Sequence, residues 1–308
     1  KKYPINSVLK TKISNIKDKD WMEQAKILSK ALPFMQKYSG SCVTIKYGGS
    51  AMNEELSENF AKDIVLLKQV GINPIVVHGG GPRIKKMLDK LRVKSSFIDG
   101  LRITDKETME IVEMVLSGSI NKEIVMEINK KGGRAIGLSG KDALLAKTKK
   151  LIKNKKNLSS VEKLFDLGFV GVPEKINKDF LNWFLDSDFI PVISPIGFDN
   201  NFKTYNINAD TMAGKVSSSI KSERLILLTD VKGVVDKKGN LLTQISIKDV
   251  KKLIKNNTIK DGMIPKVETC VDAVQNGVKA AVILDGRLPH AILLEIFTEH
   301  GVGTLITK

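Results

Sequence analysis

From residue 42 onward the chain repeats one rhythm: a short run of β-branched and other apolar residues, then a longer stretch with apolar residues at helical spacing. The runs 42–45, 74–77, 134–138, 189–193, 225–228 and 281–284 read as strands. The run 225–228 is apolar at every position, the pattern of a strand buried on both faces of a parallel sheet. Helices are expected between the strands. One carries Leu56, Phe60, Ile64 and Leu67, the next Ile84, Leu88 and Leu91, and a later one Phe180, Leu181, Phe184 and Leu185. Thr104-x-x-Glu107 predicts the cap of a long helix to about residue 131, and Ser246-x-x-Asp249 the start of another. Further helices are expected over 209–220, 265–275 and 292–299, and a tight turn at Lys238-Gly239-Asn240. Residues 143–172 are less regular and predict an antiparallel hairpin on the sheet edge. Strand-helix alternation of this kind predicts the α/β class, with an open, mainly parallel sheet in a three-layer αβα sandwich.

One helix stands outside the alternation. Asp20-x-x-Glu23 reads as a capping box, and Trp21, Ala25, Leu28, Leu32 and Met35 then share a face, with Pro33 expected to kink or end the helix near its last turn. That face must be buried on its own domain or on a second subunit, and the second option points to an oligomer. The chain therefore divides into an N-terminal segment, 1–38, and one large domain, 39–308.

Composition narrows the possibilities. A formal charge of +16 suggests nucleic acid, but 50 basic residues include only six arginines, and the lysines are spread over nearly every segment. That is a surface bias, not a groove tracking a phosphate backbone, so no nucleic-acid partner is expected. The dense block at 147–156, six lysines in ten residues, reads as a solvated hairpin tip. Cys42 and Cys270 lack metal-type spacing and fit unbridged thiols in a reducing compartment. His78, His290 and His300 form no zinc pattern, so no protein-held metal is expected. No stretch approaches the ~20 apolar residues of a membrane span, and residues 1–20 have no apolar core of a secretory signal.

The chemistry gathers at strand ends, where open α/β sheets bind ligands. Strand 42–45 runs into Lys46-Tyr-Gly-Gly49, strand 74–77 into His78-Gly-Gly-Gly-Pro82, strand 134–138 into Ser139-Gly-Lys-Asp142, and strand 225–228 into Thr229-Asp-Val-Lys-Gly233. Glycines let backbone approach an anion, a following helix offers free N–H groups, and a lysine adds charge. Four such ends in one sheet favour a phosphate-handling site over ordinary turns. The dinucleotide fingerprint fails at Ile84, Walker A fails at Ala135 and Asp142, and the protein-kinase motifs are absent. A kinase acting on a hydroxyl needs a carboxylate base, whereas a carboxylate acceptor, with a reference pKa of about 4.3, is already ionised at pH 7.

These pieces match a family. Lys46-Tyr-Gly-Gly49, His78-Gly-Gly-Gly-Pro82, Asp99-Gly-Leu-Arg-Ile-Thr104, Gly137-Leu-Ser-Gly140, Asn206-Ile-Asn-Ala-Asp210, Leu228-Thr-Asp-Val231 and Gly262-Met-Ile-Pro-Lys266 resemble, in order, the signatures of the N-acetyl-L-glutamate kinase family, a branch of the amino-acid kinases. The resemblance runs from about residue 21 to 306. It implies ATP-dependent phosphorylation of the side-chain carboxylate of N-acetylglutamate to an acyl phosphate, the second step of arginine biosynthesis by the acetylated route. It also implies an acceptor and dimerisation lobe over about 39–220 and a nucleotide lobe over about 221–308. Carried over residue by residue, Lys46 and Lys266 flank the transferring phosphoryl group and Asp210 orients them. Gly48, Gly49, Thr229, Asp230, Gly262 and Lys266 serve the nucleotide, and Mg²⁺ is held mainly by its phosphates. Gly80, Gly81, Arg102 and Asn206 take the acceptor, with Arg102 suited to a bidentate grip on the α-carboxylate. From the residues alone, Asn206 and Asp210 read equally well as helix caps. Lys266 sits near a helix start, where the macrodipole disfavours a cation unless a phosphate is also there. Asp261 departs from the family, which commonly has a second glycine at that place.

A second resemblance concerns regulation. The helix before the first strand, His290, Glu295-Ile-Phe-Thr298 and Gly301-Val-Gly-Thr304 are similar to the arginine-inhibited, hexameric branch, a trimer of dimers with arginine bound between that helix and the C-terminal lobe. It implies arginine as inhibitor, with Phe34, His290, Glu295 and Gly301 at its site. Phe34 stands where the family often has tyrosine. The family also implies the PII signalling protein as a candidate partner, as in photosynthetic lineages, and a cytoplasmic location, or the plastid stroma in a photosynthetic eukaryote. Two other readings compete: a non-catalytic arginine-sensing domain like the kinase-like part of some N-acetylglutamate synthases, and a related kinase for another carboxylate such as acetylated aminoadipate. Retention of both lysines and Asp210, and no acetyltransferase sequence before residue 308, count against the first. The acceptor motifs count against the second.

Overall fold

A computed structural model describes residues 18–48, 54–98, 100–155, 163–299 and 301–308. Fourteen strands are formed among these residues, eight of them in one sheet. Its centre is β1 (Cys42–Tyr47), flanked by β2 (Asn73–His78) and by β11 (Arg224–Thr229). Outward from β2 lie β8 (Ile190–Ser194) and the edge strand β5 (Ala135–Ser139); outward from β11 lie β13 (Ala280–Asp285), β14 (Thr304–Thr307) and β12 (Gln244–Ser246). All pairings are parallel except β13 with β14.

The strands alternate which face each residue serves. Val43, Ile45, Val76, Ile226 and Val282 join a core with helix α2 (Glu54–Gln69), α3 (Gly81–Lys90), α4 (Lys106–Glu113), α5 (Asn121–Lys130) and α10 (Ala291–Phe297). Cys42, Ile75, Val77, Leu225, Leu227 and Ile283 face the other way, onto α6 (Lys178–Leu185), α7 (Ala209–Ser219), α8 (Ile247–Lys255) and α9 (Met263–Gln275). Helices on both faces explain why the central strands are apolar runs. Both cysteines are buried and unbridged, and burial pushes their thiol pKa values up, Cys42 to about 12.

Several expectations needed correction. The hairpin β6 (Ala146–Lys155) and β7 (Lys163–Ile176) does not lie on the sheet edge: with β9 (Ile196–Phe198) and β10 (Thr204–Ile207) it closes a separate small barrel. Short strands β9 and β10 captured it, and each is too short to register as a strand in sequence. The first helix, α1 (Asp18–Tyr38), begins before Asp20, so that residue does not cap it, and it runs through an exposed Pro33 instead of ending there. Trp21, Leu28 and Leu32 on it are exposed; only its end is packed, where Tyr38 enters the core and meets Arg224. The cap of α4 is Asp105, which accepts from the Thr108 N–H, and not Thr104. The expected long helix is helical from residue 106 to 130, but its middle, Met114–Ile120, is wound as a π-helix. Ser246 caps α8 as expected, and Asp236 closes the turn at residues 238–240.

Candidate active site

The site grows from the carboxyl ends of β1 and β2. Lys46 is the penultimate residue of β1, and the chain then leaves the sheet at Gly48, against the loop after β2. A Cβ on Gly48 would stand 3.2 Å from Gly79 N and Cα, so the two glycine turns touch backbone to backbone. Gly79 donates its N–H to the Tyr47 carbonyl at 2.7 Å, which ties the two turns together. Gly80 is the cap of α3 and Gly81 its first residue, positions whose N–H groups have no partner inside the helix. Gly49 lies outside the described residues.

Asp210 joins three elements. It sits in the first turn of α7, whose cap is Asn208, with the Asn208 side chain accepting from the Asp210 and Thr211 N–H groups. Asp210 is therefore free of the capping role that its sequence position allowed. Its Oδ2 accepts from Lys266 Nζ at 2.7 Å, and Lys46 Nζ stands 3.2 Å from Oδ1. Oδ1 accepts no aligned hydrogen bond among the described residues, so the Lys46 contact is an ion pair without hydrogen-bond geometry. Burial pushes the Asp210 pKa up, but the charges of Lys46 and Lys266 outweigh it and hold the carboxyl below its usual range. One buried carboxylate between two ammonium groups leaves a net positive charge at the sheet edge.

Lys46, Asp210 and Lys266 border an open cleft that encloses about 910 Å³, part of it in contact with solvent. Gly79, Gly80, Gly81, Arg102 and Asn206 line the same cleft, so every residue expected for the acceptor is gathered there with the two lysines. Arg102 is buried; its Nη1 donates to Ser95 Oγ, its Nη2 to the Gly81 carbonyl at 3.3 Å, and its guanidinium lies 4.5 Å from the centre of the Phe97 ring. Burial lowers its pKa from a very high reference, so it stays charged at neutral pH. Asn206 lies in β10 and donates to Thr104 Oγ1 at 3.4 Å, so it caps no helix.

Thr229, Asp230 and Gly262 do not line this cleft. Thr229 ends β11 and donates to Asp230 Oδ1 at 3.2 Å, on the β11 side of Lys46, and Gly262 precedes α9. Asp261 is exposed with φ +47°, the left-handed region that glycine occupies without strain, which accounts for the glycine that the family commonly has there. Among the described residues no group of three His, Cys, Asp or Glu side chains is gathered as a metal site, and no helix is long and apolar enough to cross a membrane.

Residues 41–285 match the amino acid kinase family. The chain belongs to this family. Among relatives of this amino-acid kinase, an acetylglutamate kinase of Rhodospirillum rubrum is 57% identical over 288 residues, 93% of each chain. One of Rhodospirillum centenum is 56% identical over 291 residues, 94% of this chain and 95% of the relative. The fold also resembles a solved N-acetylglutamate synthase of Neisseria gonorrhoeae, in complex with coenzyme A and N-acetyl-glutamate. The TM-score is 0.78 at 21% identity, over 92% of this chain and 63% of that one.

A second cavity, also about 910 Å³, lies between the end of α1 and the last helix and strand. It brings together Phe34, Glu295 and Gly301, with Tyr38 and Arg224. His290 is not in it. That residue is in the left-handed conformation at the start of α10, and its Nδ1 is 2.5 Å from Asp63 of α2, so its ring faces a different pocket. Two residues that sequence reasoning left without a role, His78 and Asn121, are fully buried, His78 directly before the glycine turn and Asn121 with its Nδ2 3.2 Å from the His78 ring. The signal available for His78 was its place in a quoted motif; Asn121, inside the expected long helix, gave none.

Proposed function

We infer that this chain transfers the γ-phosphoryl group of ATP to the side-chain carboxylate of N-acetyl-L-glutamate, giving the acyl phosphate in arginine biosynthesis. The observation that carries this reading is the Lys46–Asp210–Lys266 cluster on the rim of a cleft whose other wall is Arg102, Asn206 and the glycine turn. Two anions, a carboxylate and a triphosphate, repel each other, and the site answers with fixed positive charge. The acceptor carboxylate needs no base, and among the described residues the one carboxylate lining the cleft, Asp210, is engaged by both lysines. Lys46 and Lys266 stabilise the oxygens of the transferring group, Asp210 sets their spacing, and Arg102 with Asn206 orients the acceptor. Mg²⁺ bound to the phosphates supplies further charge neutralisation. Residues 39–220 form the acceptor lobe and 221–308 the nucleotide lobe, with Thr229, Asp230 and Gly262 on the nucleotide.

The second cavity supports arginine as a feedback inhibitor. Burial raises the Glu295 pKa, while the Val302 N–H at 3.1 Å and the nearby Arg224 favour its ionised form. An anionic Glu295 suits a guanidinium ligand. The exposed apolar face of α1 suits a second copy of the chain, consistent with a homohexamer built from dimers. The relatives named above are bacterial, which favours the cytoplasm over a plastid as the setting.

The test is a hydroxamate-trapping assay with ATP and Mg²⁺ across N-acetylglutamate, glutamate, aspartate and N-acetylaminoadipate, repeated with arginine. Product is expected with N-acetylglutamate at least about a hundredfold above the others, since unpaired polar groups in a built site are strongly rejected. It should fall as arginine is added. Equal turnover of N-acetylaminoadipate would contradict the substrate assignment.

A further inference from the structure

The π-helical segment Met114–Ile120 ends directly on Asn121, whose buried side chain spans three strands of the sheet edge. Asn121 Nδ2 donates to the Val192 carbonyl at 2.9 Å and is 3.2 Å from His78 Nε2. His78 is the last residue of β2 and is completely buried; its Nδ1 lies 3.0 Å from the Gly79 carbonyl. A carbonyl only accepts, so Nδ1 carries the proton and Nε2 is left to accept from Asn121. The two contacts select one tautomer. Burial pushes the imidazole pKa down to about 4, with only the Gly79 hydrogen bond opposing, so the ring is neutral at pH 7.

The consequence falls on one peptide plane. The Gly79 carbonyl and the Gly80 N–H belong to the same peptide, and among the described residues no peptide is cis. In a trans peptide these two groups point in opposite directions. A carbonyl held against His78 therefore turns the Gly80 N–H away from the buried ring. A Cβ on Gly80 would stand 2.5 Å from the Ile120 Cδ1 methyl and 2.6 Å from a Leu116 methyl of the π segment, so a side chain there would have to displace both. Gly137 of β5 is similarly pressed, with its Cβ position 1.8 Å from Asn121 Oδ1. The Gly137-Leu-Ser-Gly140 motif and the histidine of the glycine turn, otherwise without a function, thus meet at Asn121.

We propose that His78 and Asn121 are positioning residues for the acceptor: they lock the Gly79–Gly80 peptide so that the Gly80 N–H faces the cleft as a preset donor to the substrate carboxylate. A flipped peptide would present a carbonyl to an anion instead and repel it. The inference rests on the cleft being the N-acetylglutamate site.

Steady-state kinetics on the full chain test it, with wild type, His78→Leu and His78→Asn in parallel. Asparagine keeps an N–H donor near the Nδ1 position and leucine does not. His78→Leu should raise the acceptor KM about tenfold, the scale of one lost hydrogen bond. The ATP KM should stay within about twofold, and His78→Asn should recover most of the loss. The proposal is overturned if His78→Leu leaves the acceptor KM unchanged, if both KM values rise together, or if His78→Asn is no better than His78→Leu. Should His78→Leu fail to fold, Asn121→Leu decides. Without the amide donor at Nε2 the ring can take the other tautomer, which offers the Gly79 carbonyl no N–H, so the acceptor KM should rise severalfold with the ATP KM within about twofold. An unchanged acceptor KM would overturn the proposal. Wild-type turnover of N-acetylglutamate in the same run tests the underlying reading separately, and its absence removes that reading and the proposal with it.

Discussion

Arg102 enters the cleft with part of its donor set already spent on Ser95 and the Gly81 carbonyl, and with Phe97 stacked against its plane. Only a planar, forked cation fits such surroundings and still presents N–H groups to a carboxylate. Arg102→Lys should therefore raise the acceptor KM about tenfold or more while changing kcat less, read by steady-state kinetics at saturating ATP. His78 gives the residue scale its pH dependence. Its folded pKa of about 4 is below the unfolded value of about 6.5, so its contribution is fully present above about pH 6.5 and is lost as pH falls toward 4. The difference corresponds to about 3 kcal/mol. Urea midpoints for wild type should fall between pH 7.5 and 4.5 by more than those of His78→Asn; parallel declines would contradict the assignment. Arg102, Lys46, Asp210 and Lys266 were legible because each is an ionisable side chain in a quoted motif. Asn121 was not, because what gives it a role is tertiary: a helix turn wound with one extra residue aims it at a strand end far off in sequence.

At the scale of elements, the π segment does what an ordinary helix could not. Its altered winding places Leu116 and Ile120 over Gly80 and then presents Asn121 to the sheet. Gly137→Ala would drive a methyl group into the Asn121 amide, so it should cost about 2 kcal/mol or more in urea unfolding and raise the acceptor KM as well. An alanine variant with unchanged stability and kinetics would show that the segment can shift without consequence. The central strands were readable because burial on both faces forces continuous apolar runs, as in β11 with Leu225 to Leu228. The barrel strands were not. Asn206 in β10 looked like a helix cap, and the pairing that makes it a strand comes from β7 and β9. Thr304 was read as the end of a regulatory motif, and the pairing of residues 304–307 with β13 and β12 could only appear in three dimensions.

Across the whole molecule, the fold folds three distant parts of the chain onto one carboxylate: Lys46 from the central strand, Asp210 from α7 and Lys266 from α9. Each lysine is too far from the other two elements in sequence for spacing to predict the contact, which only the family resemblance implied. The parallel sheet makes the contact possible by ending β1 and β2 at one edge, with α7 packed beneath them. The proposed regulation would act at the same scale, since the cavity holding Glu295 and Phe34 joins α1 to α10 and to strands β12 and β14. The most direct measurement of the central claim is kcat and both KM values for Lys46→Ala and Lys266→Ala with N-acetylglutamate and ATP. The account predicts that kcat falls about a hundredfold to a thousandfold in each, with the acceptor KM changed by less than about threefold, because the lysines act on charge that develops during transfer. Turnover close to wild type in either variant would contradict it.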